Sequence, residues 1–539
     1  MSVTGTLISK GYTHFSIVDQ DGVPLGAWSG ATAAGHCMPY DTVSYNETKC
    51  TLIKARYTPL RLTGTLILNS KVRYGQTSRG VPLYLFQPEN PAYPLFVVGS
   101  SSKDTALNLR ILMEYDNWVS AGLPQGHIVQ NYGPAGTKDA EEAVAKAVAQ
   151  PPLPKEKNTI GNVAPLLPSD IPSLPPTATV FNIDPPGCED IDDLFAIEEL
   201  DENLMRMYLL IAAAAAYVLP GSPADRAASL RSATLYTPDG TPLQHMLPPA
   251  LATAAASLKA DGVARPALAW SFIYNLKKET IVKNHGFALY NVTNAHSYSY
   301  DSVTADAPPH VTTILQALTR TLKGNDADTH SWVEVAMIAY NRALANFLYE
   351  QGVGVIRRHR PADEQRATDY ARLGGPALAF YAYKAAAYVS TAAQDTAHAG
   401  LGLKLYTHGT SPLRRYADLY NQQCLLAVIY PHTYSAPAEP FDSAFHNKRS
   451  SALKSYARTI HFLDCLEDAS HVLEGTIIEV MPAKKKVKLW MEGWGLVLSW
   501  RNAPEDLLKE GTIGLVVKVR YYLNKNAPNM KERFVFEVV

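Results

Sequence analysis

In Asp184-Pro-Pro-Gly-Cys-Glu-Asp190-Ile-Asp192-Asp193, four aspartates fall within ten residues. Apolar residues flank them on both sides: Val180, Phe181 and Ile183 before, Leu194, Phe195, Ala196 and Ile197 after. So many like charges beside so much apolar chain require a counter-charge, because burial and mutual repulsion both penalise ionised carboxylates. A hard divalent cation with oxygen ligands, Mg2+ or Mn2+ first, supplies one. A solvated acidic turn around Pro-Pro-Gly explains the same residues about as well at this level. A calcium loop does not. Counting from Asp184, the sixth and twelfth positions hold Glu189 and Phe195, where an EF-hand needs Gly and Glu.

Composition bounds what surrounds this stretch. A chain of 539 residues holds about three to five domains of ordinary size. It is 47% hydrophobic and 18% charged with a formal net charge of -1, so it has material for a large core and is no polycation. Any nucleic-acid surface must be a local groove or channel. Cys37, Cys50, Cys188, Cys424 and Cys465 are scattered and form no C-x-x-C pair, which argues against zinc and against a disulfide framework. An intracellular, reducing compartment is expected, the cytoplasm first, with an organelle or the nucleus left open. Met1 to Lys10 carries no cationic region followed by an apolar run, so no secretory signal is expected. The most apolar stretch, Leu209 to Leu219, is too short to span a bilayer, and no membrane association is expected.

Before the aspartates, residues 1 to about 145 read as β-rich. Gly5 to Val18 alternates loosely up to the turn Asp19-Gln-Asp-Gly22, and further runs occur at Leu62 to Leu68, Val81 to Phe86, Leu95 to Val98, Leu107 to Leu112 and Gly126 to Gln130. Short strands punctuated by turns suggest one or two small barrels. Ala140 to Gln150 is helical in character, and the proline-rich, weakly charged run from Pro151 to Pro176 reads as an extended linker.

After the aspartates, Leu209 to Leu219 has helical propensity, with a buried strand running into a loop as the alternative. Ala224 to Ser232 and Val311 to Leu322 read as helices, Trp270 to Asn275 and Gly286 to Val292 as strands. A long helix is expected over Ser331 to Glu350, where Val333, Met337, Tyr340, Leu344 and Leu348 make one apolar stripe. Thr410-Ser411-Pro412 is a helix-start signal, and His408, Arg414 and Arg415 cluster beside it. Such a group either holds phosphate or is a capped helix with surface arginines. From Glu474 the pattern returns to β, with five short strands in about 65 residues that suggest an OB-type barrel. Its lysines and aromatics (Lys484, Lys485, Lys486, Lys488, Lys518, Arg520, Tyr521, Tyr522) suit single-stranded nucleic acid, although a lysine run by itself is more often a solvated turn.

Four stretches, in this order, resemble the RNase II (RNB) family of exoribonucleases. They are Ile183-Asp184-Pro185 with Asp190-Ile191-Asp192-Asp193; Ile211-Ala212 through Tyr217-Val218, Gly221-Ser222, Arg231, Leu235-Tyr236, Met246-Leu247-Pro248, Ser257-Leu258 and Arg265-Pro266; Val333 to Ala339 with Asn341; and Gly400-Leu401-Gly402 through Tyr406-Thr407-His408, Thr410 to Tyr416 and Asp418. The resemblance implies a multidomain α+β protein. Its expected parts are cold-shock-like OB barrels at 1–60 and 61–150, a linker at 151–178, a mixed α/β RNB catalytic domain at 179–472 and a C-terminal OB-type RNA-binding barrel at 473–539. No N-terminal endonuclease domain is expected before the barrels.

The resemblance further implies metal-dependent 3′-to-5′ hydrolysis of single-stranded RNA to nucleoside 5′-monophosphates, with Mg2+ (Mn2+ also possible). Asp184, Asp190 and Asp193 are then metal ligands, and Asp192 is the carboxylate closest to the chemistry and also on the metal. Arg414 braces the scissile phosphate, and Tyr236 and Glu334 hold the terminal nucleotide. Tyr300 stacks on a base, and Arg231, His408, Thr410, Ser411 and Arg415 contact RNA. The implied partners are single-stranded RNA and a helicase or RNA-decay complex, with the protein itself a monomer. The alternative is a catalytically weak or inactive RNA-binding relative acting as an assembly subunit. Two departures stand out. Ile211-Ala212-Ala213 lacks the aspartate common in relatives, and the segment from Asp301 to Ser331 is short, which puts one side of a base clamp in doubt.

Overall fold

A computed structural model describes residues 2–118, 122–150, 164–323, 328–468, 472–524, 527 and 533–539. The chain forms two compact units. One gathers Met1–Pro154, Pro361–Ala385 and Lys448–Val539; the other gathers Lys155–Arg360 and Ala386–Asn447.

The first unit contains three five-stranded assemblies of one pattern. In each, the first strand pairs with the second and fourth, the second with the third, and the fourth with the fifth. The middle one, from Arg61–Ile67 to Gln125–Pro134, closes into a barrel because its fifth strand also pairs in parallel with its third, Phe96–Gly99. The N-terminal assembly (Val3–Lys10 to Cys50–Lys54) and the C-terminal one (Val472–Met481 to Phe534–Val538) remain open sheets among the described residues, as partly open OB barrels do. Gly5 to Val18 is not one strand. Gly11 and Tyr12, at φ 64° and 52°, turn it into the hairpin Val3–Lys10 and His14–Val18. The helix Glu364–Ala379 lies on the C-terminal sheet, where Tyr370 and Leu378 share a core with Ile478 and Trp490. Gly374 permits that contact, since a Cβ there would lie 2.7 Å from the Trp490 ring.

The second unit is built on a six-stranded sheet. Its order is Thr280–Val292, Arg265–Asn275, Leu204–Ala212, Asp193–Glu199, Thr179–Ile183 and, in parallel, His296–Tyr298. Leu204–Ala212 settles the choice left open for Leu209 to Leu219. Flanked by strands on both edges and buried on both faces, it is a strand despite its alanine-rich end, and only Ala214–Ala216 coils. The helices Pro309–Lys323, Thr329–Gln351 and Tyr416–Ile429 contribute to the same core, with Leu315, Tyr340, Leu344 and Leu425 buried in it. Of the expected linker, 151–163 lies outside the described residues. Its remainder is laid onto this unit: Leu167, Ile171 and Leu174 pack against the core, and the Leu166 N–H donates to the Ala216 carbonyl. No described helix is long and apolar enough to cross a membrane.

Candidate functional site

Two adjacent strands deliver the aspartates. The register Phe181↔Phe195 between Thr179–Ile183 and Asp193–Glu199 brings Asp184 and Asp193 to one end of the sheet, with Asp190 and Asp192 in the connecting loop. The loop is pinned by buried Ser257, whose hydroxyl donates to the Glu189 carbonyl (2.8 Å) and accepts the Ile191 N–H (2.9 Å). The Asp184 N–H donates to the Tyr298 carbonyl (3.1 Å), and the Ala212 N–H to the Asp192 carbonyl (2.8 Å).

Each carboxylate has a different neighbour. Asp184 accepts from Asn182 Nδ2 (2.9 Å), and Asp190 Oδ2 accepts from the Tyr236 hydroxyl (3.2 Å). Asp192 is 2% exposed; its Oδ1 accepts the Leu413 N–H (3.1 Å) and its Oδ2 the Arg414 Nε–H (2.9 Å). Asp193 Oδ2 is buried with no hydrogen-bond partner among the described residues. Burial raises Asp192 to about 7, with Arg414 as the strongest opposing influence. Burial raises Asp184 too, and it raises Asp193 strongly, reinforced by repulsion from Asp184 and Asp192. Burial pushes the Cys188 thiol up to about 12, helped by Asp184 and Asp190, so it is no nucleophile here. Among the described residues, no three His, Cys, Asp or Glu side chains converge as a metal-holding group. The donor set nevertheless fits a hard cation. It offers only carboxylate oxygens, one of them orphaned and buried, in mutual repulsion that a divalent charge relieves.

Opposite the loop stands the segment before the Tyr416–Ile429 helix. The expected helix start at Thr410-Ser411-Pro412 is displaced to Tyr416 because the intervening chain pairs elsewhere. Thr234 N–H donates to the Arg414 carbonyl (3.0 Å), Ala233 bridges Arg415, and Tyr416 N–H donates to the Ser232 carbonyl (2.8 Å), which keeps Arg415 extended. Arg414 is 47% exposed and held from two sides, by Asp192 and by Ser411 Oγ, which accepts Nη2 at 3.2 Å.

Several of the expected RNA contacts are hydrogen-bonded within the protein. Thr410 and Ser411 are both 5% exposed: the Thr410 hydroxyl accepts from Asn341 Nδ2 (3.3 Å), and Ser411 N–H donates to Asp418 (2.8 Å). Arg415 also donates to Asp418 (2.9 Å), and His408 Nδ1 lies 2.7 Å from the Tyr388 hydroxyl. Arg231 is buried and donates to the Met246 carbonyl (2.8 Å), so it braces the Leu235–Tyr236 hairpin from inside rather than facing solvent. Glu334 is 63% exposed, with Lys323 3.9 Å away.

Tyr236, Tyr300 and Arg414 do gather with the aspartates. Tyr300 is half-buried, and its phenol is raised to about 12 by burial and by Asp184 and Asp193. One of its faces is covered by His330, stacked at 4.0 Å and 13°. His330 was not singled out by the sequence, because a histidine at the start of a helix carries no pattern of its own. Glu334 follows it by one helical turn, on the same face of the Thr329–Gln351 helix as His330.

The RNB domain profile matches residues 176–308 and 375–431, which include all four aspartates, Tyr236, Tyr300 and Arg414 but not Glu334. The human exosome complex exonuclease RRP44 is 23% identical over 430 residues, covering 64% of this chain and 44% of its own length. The chain thus spans less than half of that curated relative. Mycoplasma genitalium RNase R in its apo form superposes with a TM-score of 0.70 at 14% identity over 100% of both chains. Yeast Ssd1, a pseudonuclease, superposes with a TM-score of 0.67 at 15% identity over 93% of this chain and 79% of its own. Residues 176–308 and 375–431, which carry the aspartate loop, thus match the RNB domain, the chain is similar in sequence to RRP44, and its α+β architecture of closed barrel and sheets is similar to that of RNase R.

Proposed function

We propose that this protein is a 3′-to-5′ exoribonuclease that hydrolyses single-stranded RNA to nucleoside 5′-monophosphates. The observation that carries the reading is the facing of a buried, mutually repelling set of aspartates by one fixed, half-exposed guanidinium, Arg414. Asp184, Asp190 and Asp193 would hold Mg2+, with Asp192 beside them. When bound, the metal supplies charge stabilisation for the attacking and leaving oxygens of an in-line displacement.

The chain's own residues do the rest. Arg414 cannot swing away, because Asp192 and Ser411 hold it, so its charge meets the phosphoryl oxygens without reorganisation. Water's oxygen adds to the phosphorus and the 3′ oxygen of the preceding nucleotide leaves. Tyr236, anchored on Asp190, borders the place of the terminal sugar. Tyr300, backed by His330, offers its remaining face to a base. Glu334, one turn beyond His330, would reach the terminal ribose, the group by which RNA is told from DNA.

A second reading, that the site binds RNA without cutting it, has a specific observation in its favour. Both oxygens of Asp192 already accept from protein donors, which engages the carboxylate within the protein rather than with a metal or an attacking water.

One assay separates the two. 5′-labelled single-stranded RNA, a duplex with a 3′ overhang and single-stranded DNA are each incubated with Mg2+ and either wild type or Asp192→Asn. The expected outcome is a ladder shortening from the 3′ end of RNA only, lost with EDTA and with the substitution. RNA retarded on a gel and left whole carries the second reading, and cleavage that survives Asp192→Asn removes Asp192 from the chemistry.

A further inference from the structure

His446 is 3% exposed, and its ring lies against Phe441 (4.2 Å, 23°) and Tyr416 (5.0 Å, 20°). Its Nδ1 is 2.8 Å from Ser232 Oγ. A serine hydroxyl has one proton, and this one is donated to the Ser229 carbonyl at 3.2 Å. With the proton so placed, the Nδ1–H tautomer of the imidazole donates to the hydroxyl; with the other tautomer the hydroxyl donates to Nδ1, and either way the two side chains are hydrogen-bonded. Ser232 sits at φ 66°, ψ -34°, a conformation that strains a residue with a side chain. Strain of this kind persists only where the surroundings hold the residue in place.

The backbone contacts of Ser232 and its neighbours explain why it is held. The Ser232 carbonyl accepts the Tyr416 N–H, Ala233 bridges Arg415, and the Thr234 N–H donates to the Arg414 carbonyl. Two residues on, Tyr236 reaches Asp190. The five residues Ser232 to Tyr236 thus form a bracket, with Arg414 facing Asp192 on one arm and Tyr236 facing Asp190 on the other. His446 grips its root twice, by hydrogen bond to Ser232 and by ring contact with Tyr416, the two residues joined through the backbone.

We infer that the Ser232–His446 bond is a positioning device that keeps Arg414 and Tyr236 in register with the aspartates. The inference rests on the hydrolytic reading of that site. His446 acts through Ser232 and not on RNA, so it is a positioning residue.

Three variants test it. Ser232→Gly removes the hydroxyl and relieves the positive φ together. His446→Leu removes the hydrogen-bond partner, and His446→Asn keeps an N–H near the place of Nδ1. On single-stranded RNA, kcat is expected to fall about 100-fold in the first two, because small misplacements of a positioned group cost rates of that order, while KM stays near wild type. His446→Asn is expected to recover most of the loss. A wild-type kcat in Ser232→Gly overturns the proposal, as does a loss in KM alone or an Asn variant no better than Leu.

A second readout needs no activity. Phenylglyoxal modification of Arg414 in the folded protein, mapped by mass spectrometry, is expected to be severalfold faster in Ser232→Gly and His446→Leu, because the pair with Asp192 loosens. Equal rates overturn the positioning role. A wild type without nuclease activity overturns the hydrolytic reading and leaves this comparison intact.

Discussion

Asp193 and Asp192 meet burial differently. Asp192 receives two donors, whereas one oxygen of Asp193 is buried with none, beside two further carboxylates. A carboxyl in that position costs the fold stability, as a buried charge or through the proton it must take up. Asp193→Asn is therefore expected to stabilise the metal-free protein by about 1 kcal/mol, read as a higher Tm in EDTA. It is also expected to lose both cleavage and the rise in Tm that Mg2+ gives wild type. An unchanged Tm in EDTA would mean that the burial of Asp193 is compensated within the protein. Tyr236 makes a second test. If it borders the terminal nucleotide, Tyr236→Ala lengthens the smallest RNA product by at least one nucleotide on a sequencing gel, and an unchanged product removes it from that role.

At the scale of elements, the features legible in the sequence were local and periodic. The Thr329–Gln351 helix follows its apolar stripe, and the strands of the C-terminal sheet follow their alternation. The concealed features depended on pairing between distant residues. Leu204–Ala212 is a strand because two partners flank it, and the helix start moved from Pro412 to Tyr416 because residues 232–234 claim the backbone in between. Likewise the aspartates could be picked out from their spacing, but Ser257 and His446, which fix the loop and the bracket, are single polar residues whose roles appear only when the fold delivers them.

Asn341 shows the same point on a helix the sequence did find. Buried in the Thr329–Gln351 helix, it accepts the Gly409 N–H (2.8 Å) and donates to Tyr406 and Thr410. Asn341→Leu orphans these groups and is expected to lower stability by about 1–3 kcal/mol in chemical denaturation. Farther along, burial, His359 and Arg357 hold His398 down at about 4, against an ordinary 6.5. Its unfolded form takes a proton below pH 6.5 that its folded form refuses until about 4, so this contribution to stability is complete above 6.5 and falls away as pH drops through that window. His398→Gln is expected to flatten the acid side of the stability curve between those values, and an unchanged slope would assign it to other groups.

At the scale of the whole molecule, repetition and its tether stand out in the unit built from three like-patterned sheets. Sheets of this kind are small, and small cores leave little margin, so what joins them matters. In the middle of that unit lies a charge network almost without water: Arg110 at 2%, Glu141 at 4% and Arg533 at 0% exposure. Glu141, on the helix Lys138–Ala149, pairs with Arg110 of the closed barrel (3.2 Å) and with Arg533, which leads into the last strand of the C-terminal sheet. Arg110 also reaches Glu89 (2.7 Å), and Thr65 accepts from both arginines. Removing one member of a buried pair costs far more than the pair contributes, because the partner is left charged in a dry place. Glu141→Ala removes the carboxylate that both arginines share, leaving Arg110 with Glu89 alone, and is expected to destabilise this unit by about 3–5 kcal/mol. Lys138→Ala, which removes a pair with half-exposed Asp464, is expected to cost under about 1 kcal/mol. Hydrogen exchange shows whether the network is a tether or a local ornament. If Glu141 joins the sheets, its loss speeds exchange together in Arg61–Ile67, Leu109–Asn117 and Phe534–Val538. If only the helix Lys138–Ala149 loosens, the sheets are held by their apolar contacts and the network joins nothing.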